Sequence, residues 1–284
     1  MANRMNNLTG KEWLQNSFTI WRDIRKTNEE MRLKHPALFP VQLCEKLIRI
    51  YTKESGEVIL DPFMGIGSTI IAAENLNRKG IGVDLNEGFF EAAKERLSCH
   101  QTKLNVDISC GHELYVGDSR EVLKKLPENS VDLCINSPPY WDILNQKRSA
   151  DMKATINYSD LAPDLGNIKS YQEFLCELKK VYSEVFRVLK PDKRCCVVVM
   201  DVRKKDKLFP LHIDITKIMQ EIGFELEDFV IWDRQNEYNH MRTLGYPCVF
   251  RFNKVHEFIC IYWKRNNDKE SACIRKTEAS NLKI

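Results

Sequence analysis

Five consecutive residues, Asn-Ser-Pro-Pro-Tyr, carry the hydrogen-bonding and stacking groups that an aromatic amine would need. Adjacent prolines fix the backbone and have no N–H donor, so Pro138, followed by Pro139, presents only a carbonyl acceptor beside the Ser137 hydroxyl. Two acceptors that bind the hydrogens of an exocyclic amine favour a nitrogen whose lone pair points away from them. Tyr140 offers an aromatic face to an extruded base, and Trp141 can extend that face. An ordinary strand exit is the alternative interpretation.

A second pattern, VILDPFMGIGST, joins an apolar segment ending in Asp61 to a glycine-containing turn. Gly65 and Gly67 let the backbone approach a ligand closely, and the N-terminus of the helix that follows favours negative charge nearby. The next apolar segment, GIGVDL, contains Asp84 at its end, where an acid can hold two ribose hydroxyls. The two features together predict a site for a nucleoside-type cofactor. A tight strand-to-helix turn with a capping acid is the alternative.

The same region argues against a dinucleotide or a nucleoside triphosphate. Ile70 stands where the third glycine of the dinucleotide fingerprint would be, and no Gly-Lys-Ser/Thr follows the turn. At the end of a third predicted strand, Asp118 and Ser119 lie where a carboxylate can accept a hydrogen bond from an adenine amine. A nucleoside with free adenine and ribose would use both acids without a basic phosphate site.

Alternating strands and helices must position these residues. The hydrophobic pattern predicts strands at 57–61, 80–85, 114–118, 131–140 and 194–202 and helices at 41–53, 69–77, 87–98, 169–189 and 211–222. This alternation predicts an α/β fold with a Rossmann-like, mostly parallel sheet and helices on both faces. Segments 226–233 and 255–263 are predicted to form an antiparallel hairpin at the sheet edge. Residues 9–33 carry an amphipathic pattern.

The composition sets outer limits. The 284 residues include 43 Lys and Arg against 40 Asp and Glu, with a formal net charge of +3 and 43% hydrophobic residues, which excludes collagenous, disordered and disulfide-stapled classes. The sequence has no C-x-x-C pair, and its His residues are scattered singly, so no metal site is predicted. Neither a signal-peptide core nor an apolar membrane span is recognised, so we expect a reducing, cytoplasmic setting.

Taken together, these motifs resemble the family of S-adenosylmethionine-dependent amino-methyltransferases that modify exocyclic amines of DNA bases. The DPFMGIGST turn is similar to the cofactor motif of that family, NSPPYW to its catalytic motif, and KHPALFP to the segment that precedes the cofactor motif. The resemblance covers residues 9–264 as one methyltransferase domain and leaves 265–284 as a polar tail. It implies methyl transfer at Ser137–Tyr140 with no covalent intermediate.

The resemblance also implies the cofactor contacts. Asp84 and Asp118 match the ribose and adenine contacts of the family, and Ser17 could reach the methionine carboxylate. The expected cofactor-binding residues are Asp61, Pro62, Phe63, Gly65, Gly67, Ser68, Thr69, Asp84, Leu85, Asp118, Ser119 and Ser17.

The first residue of the catalytic motif bears on the substrate. Ser at this position, here Ser137, is more typical of the cytosine-N4 members of the family, whereas Asp or Asn is more typical of the adenine-N6 members. The resemblance therefore implies site-specific methylation of the N4 amine of a flipped cytosine in double-stranded DNA. Adenine N6, an RNA base and an inactive binding module remain as alternatives, and a nicotinamide-dependent oxidoreductase is a weaker one.

The order of the motifs bears on target recognition. The cofactor motif precedes the catalytic motif here, whereas many cytosine-N4 members have the reverse order with a recognition domain between the two. Recognition is therefore expected from loops at 141–168 and 234–254, where basic and aromatic residues could hold phosphates and stack on bases. The expected nucleic-acid contacts are Trp141, Lys147, Arg148, Arg234, Tyr238, Arg242, Tyr246 and Arg251. A surface hairpin packed on the core is the alternative for the second loop.

The remaining expectations concern partners. A cognate restriction endonuclease that acts separately is compatible with such an enzyme, and no membrane partner is expected. The oligomeric state stays open.

We predict that S-adenosylmethionine raises the unfolding temperature of the protein and that NAD does not. A ligand that binds only the folded state stabilises it, by about 2.7 kcal/mol when present at about 100 times its Kd. Thermal unfolding followed by intrinsic fluorescence, with each compound in turn, measures the difference. Stabilisation by NAD alone would favour the oxidoreductase instead.

Overall fold

A computed structural model describes residues 4–33, 38–104, 110–142, 164–237 and 243–266 of the chain. The strands of the described residues are β1 (Ile20–Trp21), β2 (Val58–Asp61), β3 (Lys79–Asp84), β4 (Glu113–Val116), β5 (Val131–Asn136), β6 (Leu189–Val199), β7 (Val202–Lys204), β8 (Lys207–Phe209), β9 (Glu225–Asp233) and β10 (His256–Trp263). The α-helices are α1 (Gly10–Asn16), α2 (Asn28–Arg32), α3 (Val41–Tyr51), α4 (Ser68–Asn75), α5 (Glu87–Leu104), α6 (Ser119–Val122), α7 (Tyr171–Val188) and α8 (Leu211–Ile222). No helix within these ranges is long and apolar enough to cross a membrane.

Eight of the strands form one sheet in the order β1-β9-β10-β6-β5-β2-β3-β4. The strands from β6 to β4 pair in parallel, whereas β10 pairs antiparallel with both of its neighbours and β1 pairs in parallel with β9. The chain runs from β2 outward through β3 to β4 and then returns to the other side of β2 with β5 and β6. Strand order thus reverses at β2, and open α/β sheets bind their ligands beyond the carboxyl ends of the strands at such a reversal.

The directions of the strands bring the candidate residues to one edge of the sheet. Asp61 and Asp84 are the last residues of β2 and β3, and Ser137 follows β5 directly. Because β10 runs antiparallel to both β6 and β9, the carboxyl end of β9 lies at this edge too. The segment between β9 and β10 therefore leaves the sheet on the same side as the Ser-Pro-Pro-Tyr motif.

Apolar layers cover both faces of the sheet because successive side chains of a strand point to opposite faces. Ile59 and Leu133 face α3 and α4, while their neighbours Leu60 and Cys134 face α7 and α8. Helix α7 begins after Ser170, whose hydroxyl accepts a hydrogen bond from the Glu173 N–H. Its buried residues recur every three or four positions, which makes one face of the helix apolar.

The predicted α/β fold, with a mostly parallel sheet and an antiparallel C-terminal pair of strands, is confirmed. Three details differ from the sequence prediction. Strand β6 begins at Leu189 rather than at 194, so that Pro191 lies inside it, where the pairing with β5 is irregular between Leu189 and Arg194 and no regular ladder N–H is required. Strand β1 lies outside β9, so the C-terminal pair does not form the outermost edge. A β7–β8 hairpin, which the hydrophobic pattern does not predict, follows β6 and contains the basic residues 203 and 204.

Candidate active site

The glycine turn after β2 is closed by the carboxylate of Asp61. This side chain is fully buried and accepts hydrogen bonds from the Phe63 N–H at 3.0 Å and from the Thr69 hydroxyl at 2.6 Å. Burial raises the pKa of Asp61 to about 7, against the opposing effect of these two hydrogen bonds. Asp61 therefore ties both ends of the turn to the end of the strand.

Two glycines in this turn adopt backbone conformations that other residues rarely adopt. Gly65 has a φ of +53° and Gly67 a φ of +80°. The Gly65 N–H donates a hydrogen bond to Asp84 at 2.8 Å, which joins the turn to the end of β3. A Cβ atom on Gly67 would lie 3.2 Å from the Cβ of Ala93 in α5, so the turn also packs closely on that helix.

Asp84 is 5% exposed, and each of its carboxylate oxygens accepts one backbone N–H. The donors are Gly65 and Asn86, each at 2.8 Å. Each oxygen keeps a second lone pair, so the two vicinal hydroxyls of a ribose fit this carboxylate. Burial raises the pKa of Asp84 to about 6, and the negative charge of Asp164 contributes. Asp164 is a buried residue that sequence reasoning missed, because nothing in its local pattern indicates this proximity.

Asp118 and Ser119 follow β4 and connect its exit to the glycine turn. The Asp118 carboxylate caps α6 through the Arg120 N–H and also accepts hydrogen bonds from the Arg120 guanidinium, at 2.9 Å from Nε and 2.6 Å from Nη2. The buried Ser119 hydroxyl donates to the Pro62 carbonyl. An adenine amine bound by Asp118 would thus share the carboxylate with Arg120.

Other members of the expected cofactor set support the turn through buried side chains. Ser68 is 2% exposed and accepts a hydrogen bond from Arg96 at 3.1 Å, while Thr69 is fully buried. Pro62 is buried, and Phe63 and Leu85 are half-buried. Direct contact of Ser68 and Thr69 with a ligand would therefore involve the backbone N–H groups that begin α4.

Ser17 is not brought to this turn. It ends α1, is exposed, and donates its hydroxyl to the Leu14 carbonyl at 2.8 Å. Buried Trp21 holds the following segment beside β9, and four strands separate β1 from β2. At about 4.8 Å per spacing, the two strands are roughly 24 Å apart. The prediction that Ser17 contacts the cofactor is wrong because β1 pairs at the opposite end of the sheet.

The catalytic motif begins on a rigid base. Asn136 ends β5, is fully buried, and accepts a hydrogen bond from the Tyr182 hydroxyl at 3.0 Å. Pro138 is buried, whereas Ser137 and Pro139 remain half-exposed. Ser137 therefore has access to a ligand at the edge of the sheet where Asp84 also lies.

The Tyr140 hydroxyl is held by several protein groups. Its oxygen is 3.0 Å from the Ser137 hydroxyl, and it donates to the Glu257 carboxylate at 2.7 Å, with the Val198 carbonyl farther away at 3.4 Å. Burial, followed by the charge of Glu257, raises the pKa of Tyr140 well above its usual range. Sequence reasoning missed Glu257, although an acid at the start of an otherwise apolar strand was a signal.

Arg234 lies in the same cluster, and its expected role as a phosphate contact is not supported. Its guanidinium pairs with Glu257 and donates to Glu237 at 2.7 Å, and it stacks 4.6 Å from the ring of Trp232. Its side chain is 15% exposed. The sequence predicts a surface cation at Arg234 because it does not reveal that Glu237 and Glu257 both lie beside the guanidinium.

Trp141 is also part of the protein interior. It is 5% exposed, packs against Tyr171 and Phe209 with ring centroids 5.1 and 4.9 Å away, and donates its indole N–H to the Ile168 carbonyl. Lys204 lies 4.1 Å from the ring centroid. The prediction that Trp141 extends a stacking face for a base is therefore wrong, because both its ring and its polar atom are occupied.

The segment after β9 exposes aromatic rings. Tyr246, Phe250 and Phe252 are each more than 80% exposed. Arg251 donates to the Lys205 carbonyl in the turn between β7 and β8 at 2.9 Å, which places basic residues beside these rings. The other expected contacts, Lys147, Arg148, Tyr238 and Arg242, lie outside the described residues.

A cluster of Glu74, Cys110 and His112 has atoms close enough to hold a metal ion. The His112 Nδ1 accepts the Gly80 N–H at 2.8 Å, so the neutral ring carries its proton on Nε2, which lies 2.6 Å from Glu74. Metal binding at Nε2 would move the proton to Nδ1, facing the Gly80 N–H. The hydrogen bonds thus account for this cluster without an ion.

Comparisons with known proteins give a consistent family assignment. A family model described as DNA methylase, N6_N4_Mtase, matches residues 2–95 and 131–283. The chain is 44% identical over 66 residues to the type II methyltransferase M.HpaI of Haemophilus parainfluenzae, covering 23% of the chain and 21% of the relative. It is 28% identical over 145 residues to the type II methyltransferase M.MjaI of Methanocaldococcus jannaschii, covering 46% and 48%.

Among solved structures, the chain is similar to a DNA modification methylase of Thermus thermophilus in complex with S-adenosyl-L-methionine. The two are 33% identical, with a TM-score of 0.38, over 54% of this chain and 53% of the other. The chain thus matches between about a fifth and about a half of the length of these relatives.

We predict that the contribution of Asp61 to stability decreases as the pH rises from 4 to 7. The pKa of Asp61 is about 7 in the folded protein, above the value of 3.8 for an unperturbed Asp, so ionisation in this window favours the unfolded chain. Asp61→Asn should therefore lower the free energy of unfolding more at pH 5 than at pH 8. Urea denaturation at both pH values measures this, and an equal loss at both would contradict it.

Proposed function

The chain belongs to the DNA methylase family whose model it matches, and from this we propose that it methylates an exocyclic amine of a DNA base, the N4 amine of cytosine. S-adenosylmethionine is the cofactor. The observation that carries the proposal is a juxtaposition at one sheet edge. The glycine turn and Asp84 lie at the ends of β2 and β3, and Ser137 lies beyond β5, which pairs with β2.

The glycine turn, Asp84 and Asp118 would bind the nucleoside part of the cofactor. The Asp84 carboxylate would accept hydrogen bonds from the two ribose hydroxyls, and the Asp118 carboxylate would accept a hydrogen bond from the adenine amine. The glycine turn would bring backbone N–H groups close to the ligand. When bound, S-adenosylmethionine supplies a methyl group activated by a positively charged sulfur.

The residues of the Ser-Pro-Pro-Tyr motif would orient the base. The Ser137 hydroxyl and the Pro138 carbonyl would accept the hydrogens of the amine and direct its lone pair toward the methyl group. The Tyr140 ring, whose hydroxyl is anchored, would stack on the base. Catalysis would come mainly from this positioning, and the proton released by the amine would pass to water. No cysteine is required as a nucleophile.

The exposed aromatic residues beyond β9 support DNA as the partner. We propose that Tyr246 and Arg251 contact double-stranded DNA, with the neighbouring rings and the basic turn between β7 and β8. The segment that carries Tyr246 and Arg251 leaves the sheet at the edge where Ser137 lies. A base flipped out of the bound duplex would therefore reach the Ser-Pro-Pro-Tyr motif. The type II methyltransferases among the relatives support a separate restriction endonuclease as a functional partner.

We predict that Ser137→Ala lowers the rate of methyl transfer about 100-fold, because the amine loses one of the acceptors that orient it. The affinity for S-adenosylmethionine, measured by calorimetry, should not change. Ser130→Ala is the matched control, since that hydroxyl lies at the opposite end of β5 and bonds to the Pro127 carbonyl. An unchanged rate in Ser137→Ala would exclude this mechanism.

The product identifies the base. Incubation with isotopically labelled S-adenosylmethionine and separate DNA and RNA substrates, followed by nucleoside mass spectrometry, should yield N4-methylcytosine from DNA. N6-methyladenine, or a modified base from RNA alone, would replace the cytosine proposal with the corresponding alternative. Cofactor binding without any product would indicate an inactive binding module.

We predict that Tyr246→Ser weakens DNA binding by about 5- to 160-fold, corresponding to about 1–3 kcal/mol for the loss of one base-stacking contact. Fluorescence anisotropy with a labelled duplex measures the change. Leu14→Ser is the matched control, because Leu14 is also exposed but precedes β1, which runs parallel to β9, whereas Tyr246 follows the carboxyl end of β9. Equal affinities of the two variants would contradict a DNA contact at Tyr246.

A further inference from the structure

A continuous line of hydrogen bonds leads from the catalytic motif to an acid in another part of the chain. The Ser137 and Tyr140 hydroxyl oxygens are 3.0 Å apart, and Tyr140 is 2.7 Å from an oxygen of Glu257. The other oxygen of Glu257 pairs with the Arg234 guanidinium. Glu257 itself is 5% exposed. The groups therefore interact away from bulk water, where such contacts are strong.

The ion pair between Arg234 and Glu257 sets which group donates and which accepts in each of the other hydrogen bonds of the line. Arg234 can only donate, and a carboxylate paired with it accepts. The Tyr140 hydroxyl carries one hydrogen, and the Glu257 carboxylate is a closer and stronger acceptor than the Val198 carbonyl at 3.4 Å. Once that hydrogen is committed to Glu257, the Tyr140 oxygen can only accept from Ser137.

The hydrogen of Ser137 is then committed to Tyr140, and the Ser137 oxygen keeps its lone pairs for a ligand. An amine hydrogen needs an acceptor, and a serine hydroxyl that instead pointed its own hydrogen outward would repel it. The order of donors and acceptors along the line thus decides whether Ser137 presents a lone pair or a hydrogen to the amine.

We propose that Glu257, supported by Arg234, is a positioning residue that fixes Ser137 as a hydrogen-bond acceptor for the target amine. This inference rests on the proposed function. It also explains the place of β10, which lies between β6 and β9 and begins at the edge of the sheet where β5 ends. Glu257 is the second residue of that strand and lies opposite Trp232 of β9.

The test compares two substitutions on acids that bind the same arginine. Glu257→Gln keeps the size of the side chain but replaces one carboxylate oxygen by an NH₂ donor, so the direction of the line is no longer fixed. We expect kcat to fall about 10- to 100-fold, with little change in the KM for S-adenosylmethionine. Glu237→Gln removes the other carboxylate bound by Arg234 and does not contact Tyr140. Its kcat should stay within about twofold of the unmodified protein.

Tyr140→Phe provides a second variant should Glu257→Gln fail to fold. It keeps the aromatic ring for stacking and removes only the hydroxyl in the middle of the line. We expect a loss of kcat similar to that of Glu257→Gln, and no further loss when the two substitutions are combined, because each breaks the same line. A purely structural role for Glu257 would instead lower the thermal midpoint without this non-additivity in kcat.

The outcomes separate this inference from the proposed function. If the unmodified protein methylates a DNA amine while folded Glu257→Gln or Tyr140→Phe remains within twofold of it, the inference is overturned and the proposed function stands. Additive losses in the double variant also overturn the inference. If the unmodified protein methylates no DNA amine, the proposed function fails, and the inference with it.

Discussion

The reversal of strand order at β2 is the constraint on which the other features depend. Because β3 and β5 pair with opposite sides of β2 in parallel, the exits of all three strands meet at one edge without any long connection. The glycine turn, Asp84 and Ser137 come from these three exits. The antiparallel β10 begins where its neighbours end, so it brings the first residues of a strand to this edge, which a purely parallel sheet could not do. Glu257 thereby reaches the motif from the start of a strand.

Burial of carboxylates at this edge is stabilised in different ways. Asp61 and Asp84 are bound by hydroxyl and backbone N–H donors, which carry no full charge, and burial raises the pKa of both groups. Glu257 is instead paired with a guanidinium that cannot lose its proton. The first arrangement leaves acids whose charge responds to a ligand that donates hydrogen bonds. The second places the acid beside a permanent cation, which suits a group that must hold one hydrogen-bond direction.

Much of the fold was predictable because its signals are local. Apolar segments alternating with amphipathic helices predict the parallel sheet, and the turn residues around Gly65 identify the ends of its strands. The errors concern residues whose role depends on distant partners. Arg234 is indistinguishable in sequence from a surface cation, and Trp141 from an exposed stacking residue, until the side chains around them are placed. Glu257 lies more than a hundred positions from Tyr140, so no local pattern could connect them.

The lengths of the outermost strands have a further consequence for the protein in solution. At the two ends of the described sheet lie β1, with two residues, and β4, with four. An unpaired strand edge is a template on which another chain can add, and a long, flat, apolar edge invites irreversible association. Edges this short offer few free N–H and C=O groups in register. The sheet therefore limits its own intermolecular growth, while β2 and β5 at its middle remain almost entirely buried.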